Sequence, residues 1–253
     1  MVLITDVDGV RHVTLNRPDK LNALTRSDVD EVAAAVHEGA ATARVIVFGG
    51  AGDRAFSAGM HLDTFAGLVA DPDRTPDVIG AVKHMLDTVR QAQVPTICAV
   101  RGHCLGAAFE LALACDLRIA TPGSRFGLPE INIGLPCIME SALLSQYVGL
   151  ARAKQIMLTG DVYDAPTMSD WGFLNEIVDD VDARAAELAS SLAGKSRAGL
   201  ASQKRLFELW QNVGFAEGSA QSIHEIDRVF HDPETHEIVR RVAGGARGAP
   251  PRR

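Results

Sequence analysis

Residues 99–116, AVRGHCLGAAFELALACD, hold the pattern from which the fold is read. The apolar run TICAV (96–100) reads as a buried strand that ends in a Gly-bearing turn, with a helix starting near Gly106. The first-turn N–H groups of such a helix have no intrahelical partner and lie at the positive end of its dipole. They suit a developing negative charge, and the small residues at 106–108 let a ligand approach the backbone closely. Glu110 falls in the same turn, on a helix otherwise made of Ala, Leu, Phe and Cys. Apolar surroundings raise a carboxyl pKa toward the range useful for proton transfer. The residues support equally a Glu110 that only complements the helix dipole.

Outward from this stretch, strands and helices alternate. VLITDVDGVRHVTLNRP near the N-terminus reads as two strands around an Asp8-Gly9 turn, so folded structure is expected from the start, with no leader. Thr25 with Asp28 forms an approximate capping box for a helix through DVDEVAAAVHEGA. VIVFGG (45–50) is a buried strand, AGDRAFSAGMHLD a loop, residues 76–92 a helix and LRIAT (117–121) another strand. That order predicts a layered α/β core. Beyond Asp182 the strands stop, and residues 182–194, 198–213, 217–230 and 233–243 read as helices. Phe207, Leu209, Trp210, Phe215 and Phe230 are more apolar surface than such a tail buries on itself, which points to packing on the core or a second subunit. The final GGARGAPPRR (244–253) is expected to be disordered.

Composition removes several classes. The 253 residues are 47% hydrophobic and 23% charged, enough for a sizeable core. A net charge of -7 argues against a nucleic-acid partner, although 20 of the 25 cationic residues are Arg. The four cysteines (98, 104, 115, 137) form no CxxC pair and read as free thiols of a reducing compartment. The eight histidines show no HExxH or other ligand spacing, so no metal is expected. No uncharged apolar run reaches the roughly 18 residues of a membrane span, and the cytoplasm is the expected location. No G-x-G-x-x-G follows a strand, which argues against a nicotinamide dehydrogenase.

Two further stretches carry candidate chemistry. In RAFSAGMHLD (54–63), Ser57-Ala58-Gly59 is a small-residue loop after a buried strand; it reads as a turn, or as the source of a second N–H donor at Met60. In FGLPEINIGLP (126–136), Glu130 follows the rigid Pro129 between apolar residues. It is either an exposed loop carboxylate or the second member of an acid/base pair with Glu110.

Taken in order, NRPDKLNAL, AFSAGMHL, GHCLGAAFELALACD, FGLPEINIGLP and TGDVYDAPTMSDWGFLNEIVDD resemble the crotonase superfamily of enoyl-CoA hydratases and isomerases over nearly the whole chain. The resemblance implies an α/β spiral of repeated ββα units, with a catalytic core over 1–190 and a helical trimerisation region over 191–253. It implies a thioester oxygen held by the N–H groups of Met60 and Ala107, with Glu110 and Glu130 holding water and delivering a proton. Lys20, Ala23, Ala58 and Leu62 match positions along the CoA path, and Gly106 and Cys137 adjoin the substrate. Coenzyme A arrives as part of the substrate, so no separate cofactor is implied, and the expected partners are acyl-CoA and further copies of the chain, as a trimer or dimer of trimers.

Three positions depart from the family pattern. Met60 replaces a small residue, His61 an acidic one, and Cys137-Ile138-Met139-Glu140 a Gly-rich turn. None removes a backbone N–H. His61 reads as a pocket ligand or, more simply, as a solvated or capping histidine. Glu140 reads as complementing a helix N-terminus, or as a pocket residue facing a polar substrate group. Syn hydration of a 2-enoyl-CoA is the favoured activity. Double-bond isomerisation, thioester hydrolysis and acyl-CoA binding without turnover are the alternatives.

Overall fold

In the computed structural model, which describes residues 1–246, β1 (Val2–Val7) and β2 (Val10–Leu15) pair antiparallel. Their turn residues Asp8 and Gly9 both have positive φ, 49° and 77°, the geometry that matches strand twist in a two-residue hairpin. Thr25 then caps α1 (Arg26–Thr42): the capping box with Asp28 is present in both directions. The chain continues through β3 (Val45–Gly50), β4 (Ala55–Ser57), α2 (Leu62–Ala70) and α3 (Thr75–Arg90). Next come β5 (Thr96–Val100), β6 (His103–Leu105), α4 (Ala107–Ala114), β7 (Leu117–Ala120) and β8 (Arg125–Gly127). Short helical turns at Pro129–Ile133 and Met139–Leu143 lead to α5 (Leu144–Val148), α6 (Leu150–Thr159), β9 (Val162–Asp164), α7 (Ala165–Asp170) and β10 (Glu176–Ile177).

Successive passes of the chain step between two sheets. β3, β5 and β7 lie in the sheet ordered β1-β2-β3-β5-β7-β10, whereas β4, β6 and β8 lie in the sheet β4-β6-β8-β9. From β2 to β10 the first sheet is parallel. Two strands and a helical return thus make each turn of a spiral, the ββα repeat expected. The loop expected over AGDRAFSAGMHLD needs correcting: it contains the strand β4 and ends in the start of the nine-residue α2.

Buried strands set the core by alternation. Ile46 and Phe48 face one side of the first sheet, in a cluster with Phe56, Phe109, Phe126 and Phe173. Val45 and Val47 face the other side, where Val181, Ala185 and Ala189 of α8 (Val181–Ala193) cover them. Opposite faces of one strand therefore serve two cores, as a parallel strand covered on both sides requires. Phe109 meets Phe173 edge-on at 4.7 Å, tying the helix that bears Glu110 to the centre.

The tail forms α9 (Arg197–Asn212), α10 (Phe215–Phe230) and α11 (Pro233–Ala246), close to the expected segments. Phe207, Trp210 and Phe230 stay exposed, and Phe215 is 92% exposed. Helix α11 runs three residues into the stretch expected to be disordered; the rest of that stretch, 247–253, lies outside the described residues. Among the described residues no helix is long and apolar enough to cross a membrane.

Candidate active site

Helix α4 is aimed by burial. All eight of its residues are buried, and its C-terminal carbonyls are satisfied by the Arg118 guanidinium, which donates to Cys115 O at 2.7 Å and Ala112 O at 3.3 Å. A cation there also offsets the negative end of the dipole. The opposite end opens on a cavity of about 820 Å³. Ala107 supplies an N–H at that end, and Met60 supplies another from the loop after β4; neither has a hydrogen-bond partner among the described residues.

Two glycines let these loops meet. A Cβ built on Gly59, at φ 85°, would lie 2.7 Å from Leu105 O and 3.2 Å from the Ala107 nitrogen. A Cβ on Gly106, at φ 56°, would lie 2.6 Å from Glu130 Oε1. Side chains at either position would thus collide with the opposite wall. Backbone bonds fix the first loop: Leu24 N–H donates to Gly59 O at 2.8 Å, and His61 N–H to Leu24 O at 2.8 Å.

Glu110 and Glu130 line this one cavity from different elements. Glu110 is 6% exposed, and its Oε1 accepts from Ser141 Oγ at 2.8 Å and from Ser141 N at 3.4 Å. Burial lifts its carboxyl to about 8; the Ser141 hydrogen bond opposes that rise, and the Glu130 charge adds to it. Burial also raises Glu130, against hydrogen bonding from its own backbone and the Cys137 thiol. Cys137 Sγ lies 3.8 Å from Glu130 Oε2, and burial first, then the two carboxylates, push the thiol to about 12. A thiol pushed up this way favours its protonated form, the weaker nucleophile.

Of the residues singled out in the sequence, Ala58, Met60, Leu62, Gly106, Ala107, Glu110, Glu130 and Cys137 come together around the cavity. Lys20 and Ala23 do not line it; they lie beside its wall, where Ala58 N–H donates to Leu21 O at 2.9 Å. His61 caps α2, accepting from Asp63 N–H at Nδ1. The reading of Glu140 as a pocket residue is corrected. It is turned away from the cavity and buried against α3, near Lys83 and Arg90. Ser141, Phe65, Val69, Ile79 and Ile133 are contributions that the sequence did not announce. Ser141 follows Glu140 in the suspect turn, but its partner is 31 residues away. The remaining lining is apolar apart from Thr75 and Asn132. No cluster of His, Cys, Asp or Glu suited to a metal occurs among the described residues.

The spiral and its helical tail superpose on solved structures of one fold. Subunit I of an enoyl-CoA hydratase from Geobacillus kaustophilus matches with a TM-score of 0.89 at 29% identity, covering 100% of this chain and 97% of that one. The enoyl-CoA hydratase/isomerase family profile matches residues 5–240, and the chain belongs to that family, within the crotonase superfamily, as an enzyme. A mevalonyl-coenzyme A hydratase of Beauveria bassiana is 35% identical over 201 residues, spanning 73% of this chain and 70% of that protein. A short-chain-enoyl-CoA hydratase of Clostridium acetobutylicum is 31% identical over 182 residues, spanning 70% and 69%. Hydration of CoA thioesters is the activity by which these relatives are named.

Proposed function

We propose that the chain adds water across the double bond of a 2-enoyl-CoA. The observation that supports it most is the convergence, in one apolar cavity, of the buried Glu110, the half-buried Glu130 and two N–H groups without partners among the described residues. The Met60 and Ala107 N–H groups hold the thioester oxygen, and an oxyanion donor of this kind contributes roughly 10²–10³ in rate. As the water oxygen bonds to the β-carbon, Glu110 takes the water's proton and negative charge moves onto the thioester oxygen. Glu130 then gives its proton to the α-carbon, completing a syn addition. The C=C π bond and one O–H bond of water break, one C–O and one C–H bond form, and the pair still holds one proton, now on Glu110. Burial retains that proton near neutral pH by disfavouring the doubly ionised pair.

The cavity lining supports a hydrocarbon acyl group longer than four carbons, since little in it would pair with a polar substituent. Coenzyme A runs outward past Lys20 and Ala23 as part of the substrate, with no further cofactor. The exposed aromatic faces of α9 and α10 support a homotrimer or dimer of trimers built on residues 191–253.

The test is steady-state turnover of enoyl-CoAs of graded length by wild type, Glu110→Gln and Glu130→Gln. Each substitution is expected to lower kcat by about 10² or more, with the fold intact. Loss in Glu130→Gln alone would transfer the assignment to a double-bond isomerase, which needs one carboxylate.

A further inference from the structure

Three consecutive side chains of the Met139–Leu143 turn have three different destinations. Met139 lines the cavity, Ser141 donates its hydroxyl to Glu110, and Glu140 between them is buried at 4% exposure against α3. Glu140 Oε1 lies 3.7 Å from Lys83 Nζ and 3.6 Å from Arg90 Nε. Met139 has φ 54°, a left-handed conformation that a non-glycine side chain adopts only where its surroundings impose it. Glu140 Oε2 and Arg90 Nε are both buried without a hydrogen-bond partner among the described residues. Burying a carboxylate is costly unless opposite charge compensates it, and α3 supplies that charge on one side only of this turn. The two cations are themselves anchored: Lys83 pairs with Asp87, and Arg90 with Asp87 and with Glu208 of α9.

We propose that Met139, Glu140 and Ser141 act as a clasp, in which Glu140, pinned by Lys83 and Arg90, holds the turn so that Ser141 fixes the orientation of Glu110. The proposal rests on the hydratase reading only in treating Glu110 as catalytic. Glu140 and Ser141 are positioning residues, since both act through Glu110. Glu140 falls among the four positions, 137–140, where this chain departs from the Gly-rich turn of the resembling family.

The groups facing Glu110 set an unusual signature. Ser141 donates to its carboxylate and favours ionisation, whereas the charges of Glu130 and Glu140 disfavour it. Cys137 faces Glu130, and Lys83, Asp87 and Arg90 lie beyond Glu140, with Glu208 beyond Arg90. Losing the Ser141 hydroxyl removes a hydrogen bond from Glu110 directly, whereas losing the Glu140 charge removes a small repulsion but also frees the turn that presents Ser141.

The experiment uses the full chain with Ser141→Ala, Ser141→Thr and Glu140→Gln. Glu110 is titrated by carbon-13 NMR without substrate, assigned by difference against Glu110→Gln, and kcat and KM are followed against pH. Ser141→Ala should raise the Glu110 midpoint by about one pH unit, the scale of a hydrogen bond to a charged group. It should lower kcat about tenfold with KM within about twofold, and Ser141→Thr should restore both. Glu140→Gln should lower kcat in the same direction with KM held, because the freed turn no longer presents Ser141. It should raise the midpoint less than Ser141→Ala does, because the lost charge offsets part of the rise. A midpoint and kcat unchanged in Ser141→Ala, or a Glu140→Gln that lowers the midpoint and leaves kcat unchanged, overturns the clasp. Should Ser141→Ala not fold, the kcat of Glu140→Gln decides alone: a loss with KM held supports the clasp, and an unchanged kcat overturns it. A wild type that turns over no enoyl-CoA removes the hydratase reading, while the substrate-free titration still decides the clasp.

Discussion

Replacing Gly106 by alanine separates what this turn does for folding from what it does for Glu130. Gly106 sits at φ 56°, ψ −129°, a region that side-chain-bearing residues avoid, at a cost of about 1–3 kcal/mol. For a domain of this size each kcal/mol lowers Tm by roughly 2–4 °C, so the protein should remain folded at room temperature. The second effect is local. The added Cβ would lie 2.6 Å from Glu130 Oε1, whereas ordinary contact begins at 3.4 Å, so the oxygen must yield by about 0.8 Å. A displacement of about 1 Å in a catalytic group costs on the order of 10²-fold in rate. The expected outcome is a kcat about 10² below wild type with a Tm only a few degrees lower. Enoyl-thioester absorbance followed over time gives the first, and thermal unfolding by circular dichroism the second. Gly123→Ala is the control, since no heavy atom lies within 4 Å of its built Cβ and both readouts should hold. A Gly106→Ala enzyme within about threefold of wild-type kcat would refute the idea that Glu130 is positioned by the bare backbone opposite it.

Hydration should fall as pH rises through about 8, where the Glu110–Glu130 pair loses its last proton; a rate still rising at pH 9 would contradict that. Stability has a matching sign. Glu110 has a folded value above its unfolded one, so its contribution is full below the unfolded carboxylate range of about 4.3 and is lost as pH rises through about 8. Thermal melts from pH 5 to 9 should therefore fall less steeply in Glu110→Gln. Crotonyl-CoA should be a poorer substrate than longer or bulkier hydrocarbon enoyl-CoAs, by about 10–200-fold in kcat/KM, and crotonyl-CoA as the best substrate of the series would contradict the lining argument. Light scattering should give a trimer or hexamer, and Phe215→Asp should shift it toward monomer, because that ring is 92% exposed in the single chain.

What could be read from the residues alone followed the range of the signals. The Asp8-Gly9 turn, the Thr25–Asp28 box and the apolar runs at 45–50 and 96–100 are local patterns, and each became the expected element. So did the tail helices, whose caps include Asp180 and Ser196. The strands β4, β6, β8 and β9 are three residues each, too short for a two-residue period to show. Helix α2 escaped although Leu62, Phe65, Ala66 and Val69 recur at helical spacing, because it is only nine residues long and follows a small-residue segment that reads as a loop. The candidate pair Glu110 and Glu130 was legible as chemistry near an apolar backbone turn. Ser141 was not, because its hydrogen bond closes a gap of 31 residues that only the spiral brings together. The orientation of Glu140 likewise depends on Lys83 and Arg90, which are distant along the chain.

The two helices that wall the cavity differ sharply in how they are held. Helix α4 buries all eight of its residues, whereas α2 buries none, and Leu62 and Val69 are 69% and 83% exposed. Opening free energies follow such differences, so α2 belongs to the part of the molecule that unfolds locally at little cost, while α4 opens only with the whole. Amide exchange at 62–70 should be fast, should slow when an acyl chain covers the apolar side of α2, and should leave 107–114 protected throughout. Under the proposed function, a wall that yields on one side and a rigid one on the other would let acyl groups of different girth fit without disturbing the reacting atoms. Substitutions in α2 can then retune which thioesters are accepted while the catalytic geometry, anchored in the interior, is inherited unchanged.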